Sequence, residues 1–290
     1  MRSLATQPKI ELDRVSLHYP TCRGPLAVLE GIDLFAREGE FVTIIGPSGC
    51  GKSTLLNVIA GLEEPSTGTI RIDGRPATRR IGSVAYMHQK DLLMPWRTIL
   101  DNTILGLEIQ GVSKPEARKK ALALFDQFGL TSFENAYPAT LSGGMRQRAA
   151  FLRTILTNRE VMLLDEPFGA LDALTRSEMQ EWLLHLWDSL RKTILFVTHD
   201  VDEAVLLSDR VYVMTARPGK VKLAQEIGLP RPREYGMVTS TRFVAIKELL
   251  LSAIREETRG AIPEDPHLST TGNDHRSAVA TLPQRDQGED

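Results

Sequence analysis

The sequence predicts an α/β fold: a parallel sheet flanked by helices, with a helical subdomain inserted into it. Three observations carry that expectation. The apolar run Phe41-Val42-Thr43-Ile44-Ile45 passes directly into the glycine-rich stretch Gly46-Pro47-Ser48-Gly49-Cys50-Gly51-Lys52-Ser53, and residues 54–60 then read as a helix that stops at Gly61. Strand-like runs return at residues 161–164, 193–197 and 210–214, separated by helical patterns over 173–190 and 202–207, and strands alternating with helices build a parallel sheet. Between the two halves, from about residue 90 to 158, the texture is helical, so this block reads as an insertion.

In chain order, residues 1–8 form an N-terminal arm, and the following thirty or so read as short strands. Residues 10–19 alternate loosely, residues 26–35 are broken by Gly31, and Glu38-Gly39-Glu40 turns into the strand before the glycine-rich loop. Turn residues at 65–68 and at Asp73-Gly74 bracket a further strand over 69–72. In the insertion, Ser113-Lys114-Pro115-Glu116 has the pattern of a capping box, and Ala117, Ala121, Phe125 and Phe128 recur at helical spacing up to Gly129. The main domain runs over residues 9–230. Pro230-Arg231-Pro232-Arg233 breaks the chain, and a helix over about 237–257 forms an extension spanning 231–260. Residues 261–290 hold three prolines and eight charged residues with few large apolar ones, which predicts disorder. No internal repeat suggests two fused copies of the domain.

The 290 residues suffice for a full core, and the formal net charge of −2 gives no global basic field for nucleic acid. No stretch approaches the ~18 consecutive apolar residues of a membrane span. The first eight residues lack the apolar core of a signal peptide, and the only cysteines are Cys22 and Cys50; a reduced, cytosolic compartment is expected.

The glycine-rich loop fits the pattern G-x-x-x-x-G-K-[ST]. Its glycines let backbone N–H groups converge on an anion at a helix N-terminus, Lys52 reaches the β- and γ-phosphates, and the Ser53 hydroxyl ligates Mg²⁺. A nucleoside triphosphate is the expected ligand. The apolar strand 161–164 ends in Asp165-Glu166, where phosphate-loop proteins place a Mg²⁺ partner, with the next acid able to take a proton from water. Leu141-Ser142-Gly143-Gly144-Met145 precedes another helix, which Ser142 can cap, and offers a second anion site.

The stretch Leu141-Ser142-Gly143-Gly144-Met145, which starts 24 residues before Asp165, resembles the signature motif of ATP-binding-cassette (ABC) ATPases. The rest of that family's pattern follows in order: Gln89 as the Q-loop, Ala170-Leu171-Asp172 as the D-loop, and His199 after the strand ending at Thr198. Tyr19 falls where the family stacks an aromatic on adenine. The resemblance covers about residues 9–230 and implies a phosphate-loop core, an N-terminal antiparallel β subdomain and the inserted helical subdomain. It also implies roles. Gly46 to Thr54 hold the triphosphate of ATP, while Ser53, Gln89 and Asp165 serve Mg²⁺ and its waters. Glu166 polarises the attacking water and His199 contacts the γ-phosphate. Two such domains then face each other head to tail, Ser142, Gly143 and Gly144 of one closing over ATP on Lys52 of the other. Two positions depart from the common pattern: His88 stands where many relatives have proline, a neutral variation, and Met145 replaces the commoner glutamine.

The phrases Gln89 to Arg97, Phe168 to Asp172 and Leu229 to Arg233 resemble the nitrate/sulfonate/taurine importers of this family. That likeness implies permease subunits, a solute-binding protein, a second ATP-binding subunit and a peripheral place on the cytoplasmic face of a bacterial inner membrane. Leu92, Leu93 and Trp96 are unusually apolar for a loop, and in such transporters this region receives a short helix of the permease. Importers of thiamine-precursor pyrimidines share these phrases, and an ABC ATPase of non-transport use is the other alternative.

Overall fold

A computed structural model describes residues 7–260 except residue 170. The expected arm falls largely, and the expected tail 261–290 wholly, outside the described residues.

Strands β1 (Ile10–Thr21) and β2 (Gly24–Ala36) pair antiparallel. After β3 (Phe41–Ile45) and helix α1 (Lys52–Ala60), β4 (Thr67–Ile72) and β5 (Arg75–Pro76) join them in a four-stranded antiparallel sheet of order β2-β1-β4-β5. The chain continues through β6 (Ala85–Met87) into helices α2 (Ile99–Thr103), α3 (Leu105–Ile109), α4 (Lys114–Phe125) and α5 (Gly143–Leu156). It returns through β7 (Val161–Asp165), α6 (Ala173–Leu190), β8 (Thr193–Val197), α7 (Val201–Leu207), β9 (Arg210–Met214), β10 (Val221–Glu226) and α8 (Thr241–Gly260). The six-stranded second sheet has the order β10-β9-β3-β8-β7-β6, parallel throughout except for the edge strand β10.

The near-continuous apolar runs of β3, β7 and β8 follow from burial on both faces. Phe41, Ile45, Met162, Leu164, Ile194 and Phe196 enter one core with the helices that follow. Their neighbours Val42, Ile44, Leu163, Leu195 and Val197 enter a second core with α1 and the antiparallel sheet. Helix α1 is thereby held at the C-terminal ends of the parallel strands, where ligands of such sheets bind.

Four sequence expectations are corrected. Gly31 does not break its strand: at φ 58° it forms an irregularity inside a continuous β2, with its N–H on Ser16 Oγ at 2.9 Å. Ser113 is the N-cap residue of α4 but makes no capping hydrogen bond, and Glu116 does not reach back to it but pairs with Lys120 one turn on, at 2.9 Å. Residues 90–98 are irregular, with one turn at 95–96, rather than helix. The helix of the C-terminal extension begins at Thr241, preceded by a 3₁₀ turn over Tyr235–Thr239. The short β6 and the half-exposed edge strand β10 were not foreseen.

Arg233, inside the supposed chain break, is buried and donates to the carbonyls of Val205, Leu206 and Ser208 at the end of α7, and to those of Ile227 and Leu229. One guanidinium thus satisfies helix-end carbonyls that lack intrahelical partners.

Candidate active site

The loop between β3 and α1 places Gly51 as the N-cap of α1 at φ 105°, with no side-chain cap and no acidic residue in the first turn. Helices α2, α5, α6 and α7 are by contrast capped by the side chains of Thr98, Ser142, Asp172 and Asp200. The N–H groups opening α1 therefore have no competing side-chain acceptor, as binding of a phosphate requires. A Cβ on Gly51 would lie 2.9 Å from Leu29 Cδ2, so both backbone angle and space demand glycine there. Lys52 is buried, and its Nζ donates to the Gly46 and Pro47 carbonyls at 3.0 and 3.1 Å, across the mouth of its own loop. Cys50 is buried, and burial pushes its thiol up despite the Lys52 charge.

Asp165 ends β7, paired with Val197 of β8, and accepts from the Ser53 hydroxyl at 3.1 Å. Burial pushes its carboxyl up and the neighbouring Glu166 adds to that, while Ser53, Lys52 and Tyr86 oppose it. Tyr86 of β6 is a residue that sequence reasoning missed. Its hydroxyl donates to Asn57 Oδ1 at 3.0 Å, and burial together with Asp165 raises its pKa. A cation beside Asp165 would reverse the penalty of burial, and hard oxygen donors from Ser53 and Asp165 suit Mg²⁺, which takes one or two protein ligands plus phosphates. The residues present fit that ion.

Glu166 adopts the left-handed conformation at φ 43°, a strained position for a non-glycine residue, and its N–H is held by the Val197 carbonyl at 2.9 Å. Gln89 Nε2 donates to Glu166 Oε2 at 3.0 Å, and His199 Nδ1 lies 3.4 Å from the same oxygen. Gln89, Glu166 and His199 thus converge beside Asp165 and Ser53. Gln89 was expected on Mg²⁺ and its waters; here its nitrogen bonds Glu166, which leaves its carboxamide oxygen as the atom suited to a cation. Tyr19, near the end of β1, is half-buried against the core around α1, and burial raises its pKa with Glu63 adding to the shift.

The residues around α5 form a second group. Ser142 Oγ accepts from the Met145 N–H at 3.3 Å. A Cβ on Gly144 would lie 2.7 Å from Thr175 Cγ2, whereas one on Gly143 would find only ordinary contact with Leu171. Packing within the chain therefore explains Gly144 but not Gly143, and Asp172 caps the adjoining α6 through Thr175 N at 3.1 Å. Among the described residues no hydrogen bond joins Ser142, Gly143 or Gly144 to the loop 46–53. A cavity of about 540 Å³ instead lies between Gln89 and Gly143, lined also by Asp91, Arg146, Gly169 and Leu171. The segment after Gln89 is fastened to α5, Arg146 reaching Asp91 at 3.1 Å and Arg153 donating to the Asp91 and Leu92 carbonyls.

The apolar loop residues separate. Leu93 is buried in the core, so its expected place on an exposed patch is corrected, while Leu92 is 51% and Trp96 72% exposed. Asn102, fully buried, organises this turn, accepting from Met94 N–H and donating to the Met94, Arg97 and Thr98 carbonyls. Trp96 is thereby presented on a braced loop.

The chain matches the ABC transporter family over residues 29–169. It is 49% identical over 238 residues to the formylaminopyrimidine import ATP-binding protein ThiZ of Halalkalibacterium halodurans, covering 82% of this chain and 91% of that one. It is 43% identical over 224 residues to the aliphatic sulfonates import ATP-binding protein SsuB of Bacillus cereus, covering 77% and 88%. Its fold is similar to the dimeric post-hydrolysis structure of the ATP-binding cassette MJ0796 bound to ADP and Pi, with TM-score 0.67 and 32% identity over 75% of this chain and 98% of that one.

Proposed function

The chain belongs to the ATP-binding proteins of ABC transporters, and from that premise we propose that it powers import of a small polar solute, a sulfonate, taurine or nitrate. It is an ABC ATPase. The convergence of Gln89 and His199 on Glu166 beside the Ser53–Asp165 pair carries the mechanism. The uncapped N–H groups of α1 and the Lys52 ammonium bind the triphosphate, with the adenine on Tyr19. Ser53 and Asp165 hold Mg²⁺, which supplies neutralisation of charge on the phosphate oxygens. Glu166 takes the proton of the attacking water, Gln89 and His199 fixing its carboxylate, and His199 also meets the γ-phosphate. Gly143, which nothing among the described residues requires to be glycine, is left for close approach by ATP bound on a second subunit, with Ser142, Gly144 and Asp172 close by. Loss of the bridging phosphate then opens the pair, so that chemistry becomes motion.

No helix of the described residues is long and apolar enough to cross a membrane. In this reading the transport pathway belongs to permease partners, on whose cytoplasmic face this subunit docks. Leu92 and Trp96 form the docking patch. Trp96→Ala is expected to weaken assembly with the permease by at least about 2 kcal/mol, the usual cost of losing an aromatic anchor, while sparing most ATPase activity of the isolated subunit. Co-purification and ATPase assays check this, and normal assembly would return Trp96 to the status of a bystander.

The solute itself is tested by deleting the gene and supplying sulfonates as sole sulfur source or nitrate as sole nitrogen source. A defect on one of these is expected. The 49% identity to a formylaminopyrimidine importer favours one second reading, in which the defect appears only when a pyrimidine precursor must be taken up. A defect confined to a sugar or peptide would contradict both.

A further inference from the structure

The turn between β9 and β10, residues 215–220, lies against the phosphate loop. A Cβ on Gly219 would lie 2.3 Å from the Cys50 carbonyl oxygen, and one on Gly46 would lie 3.0 Å from the Met214 carbonyl oxygen. The turn is anchored to β2 on its other side, Gly219 N donating to Val28 O at 2.9 Å and Glu30 N to Gly219 O at 3.0 Å. Thr215 closes it internally, its Oγ1 donating toward the Ala216 and Pro218 carbonyls and accepting from Lys220 N. Out of this turn the exposed Arg217 donates through Nη2 to the Gly49 carbonyl at 3.1 Å. The same peptide unit is held at its other end, where Cys50 N–H bonds the Pro47 carbonyl at 3.3 Å. Both ends of the Gly49–Cys50 peptide are thus fixed, immediately before the residues that open α1.

The turn is in turn held by α8. Glu257 Oε2 accepts from Ala216 N–H at 3.2 Å, and Lys222 bonds Glu256 and Glu257 at 2.8 Å and the Ala253 carbonyl at 3.1 Å. One α-helical turn or more towards its start, Phe243 and Leu250 are fully buried, and Lys247 pairs at 2.7 Å with Asp202 of α7, the helix that follows His199. Helix α8 therefore reaches from the α7 that follows His199 to the turn that packs on the phosphate loop.

We propose that Arg217 is a positioning residue for ATP, acting through the Gly49–Cys50 peptide, and that α8 sets its position through Glu257. This rests on the phosphate-loop reading and extends it to the C-terminal extension, which no motif assigns a role. Loss of a hydrogen bond from a charged group at this place corresponds to an affinity change of about tenfold. Arg217→Ala is expected to raise the Kd for Mg-ATP by about that factor, with a larger effect on Kd than on kcat, and Arg217→Lys to recover part of it. Glu257→Ala is expected to weaken ATP binding in the same direction although it touches no part of the loop. Added to Arg217→Ala it brings little further loss, because both act on one link. Titration of the full chain with Mg-ATP, alongside thermal melts, reads these effects. Affinity within twofold of the unaltered chain in Arg217→Ala, or a Glu257→Ala variant that melts earlier but binds ATP normally, would overturn the inference. Unaltered affinity in Lys52→Met as well would overturn the phosphate-loop assignment along with it.

Discussion

Replacing Glu166 with Gln is expected to cut steady-state ATP turnover at least about a hundredfold while leaving ATP binding close to that of the unaltered chain, as loss of a positioned general base does. The substitution keeps the size and planarity of the side chain and removes its ability to take a proton. The left-handed backbone at φ 43° and the hydrogen bond from Glu166 N–H to Val197 O do not depend on the carboxylate, so the fold is expected to survive. Single-turnover hydrolysis separates this from a binding defect: the base assignment predicts slow chemistry on a fully bound site. Turnover matching that of the unaltered chain would remove Glu166 from the mechanism. Asp165, only one residue earlier, faces Ser53 and is the carboxylate suited to the cation, so the two acids are not interchangeable.

Lys52→Met is expected to lower ATP affinity about 10–100-fold, the equivalent of losing one or two charge-assisted hydrogen bonds to phosphate. Methionine preserves most of the apolar stem of a side chain that is only 6% exposed, so packing around it is largely kept. The ammonium lies on the Gly46 and Pro47 carbonyls, two partners it can exchange for phosphate oxygens without moving its stem. Equilibrium binding of Mg-ATP checks the prediction, and a thermal melt near that of the unaltered chain shows that the loss is local. Binding unchanged in this variant would mean that the loop is not the triphosphate site.

The parts of the site written in consecutive residues were legible. A strand, a glycine-rich loop and a helix fix where Lys52 and Ser53 stand, and an apolar run ending in two acids fixes Asp165 and Glu166. Full burial of β3, β7 and β8 made their positions readable, because both faces demand apolar residues. Contacts between distant segments were not legible. That Gln89 bonds Glu166, 77 residues away, and that His199 meets the same oxygen depends on strand order, which no local pattern encodes. Tyr86 lies on a three-residue strand with no detectable period. Leu92 and Leu93 are chemically alike neighbours in an irregular turn, where nothing in sequence says which one faces the core; in the fold Leu93 does, and Leu92, at φ 47°, is exposed. Arg233 reads as part of a chain break, yet its Nη1 and Nη2 groups meet carbonyls from two segments that converge only in the folded chain. The edge strand β10 carries Lys222, Gln225 and Glu226 on a half-exposed surface and so reads as a loop.

Two copies of this cassette are expected to close on ATP and to open on its hydrolysis. Light scattering of Glu166→Gln during size-exclusion chromatography, with and without Mg-ATP, tests it most directly. A monomer without nucleotide and a stable dimer with it are expected, because the closed state forms and is not discharged. A Glu166→Gln protein that binds ATP at saturation and stays monomeric would contradict it.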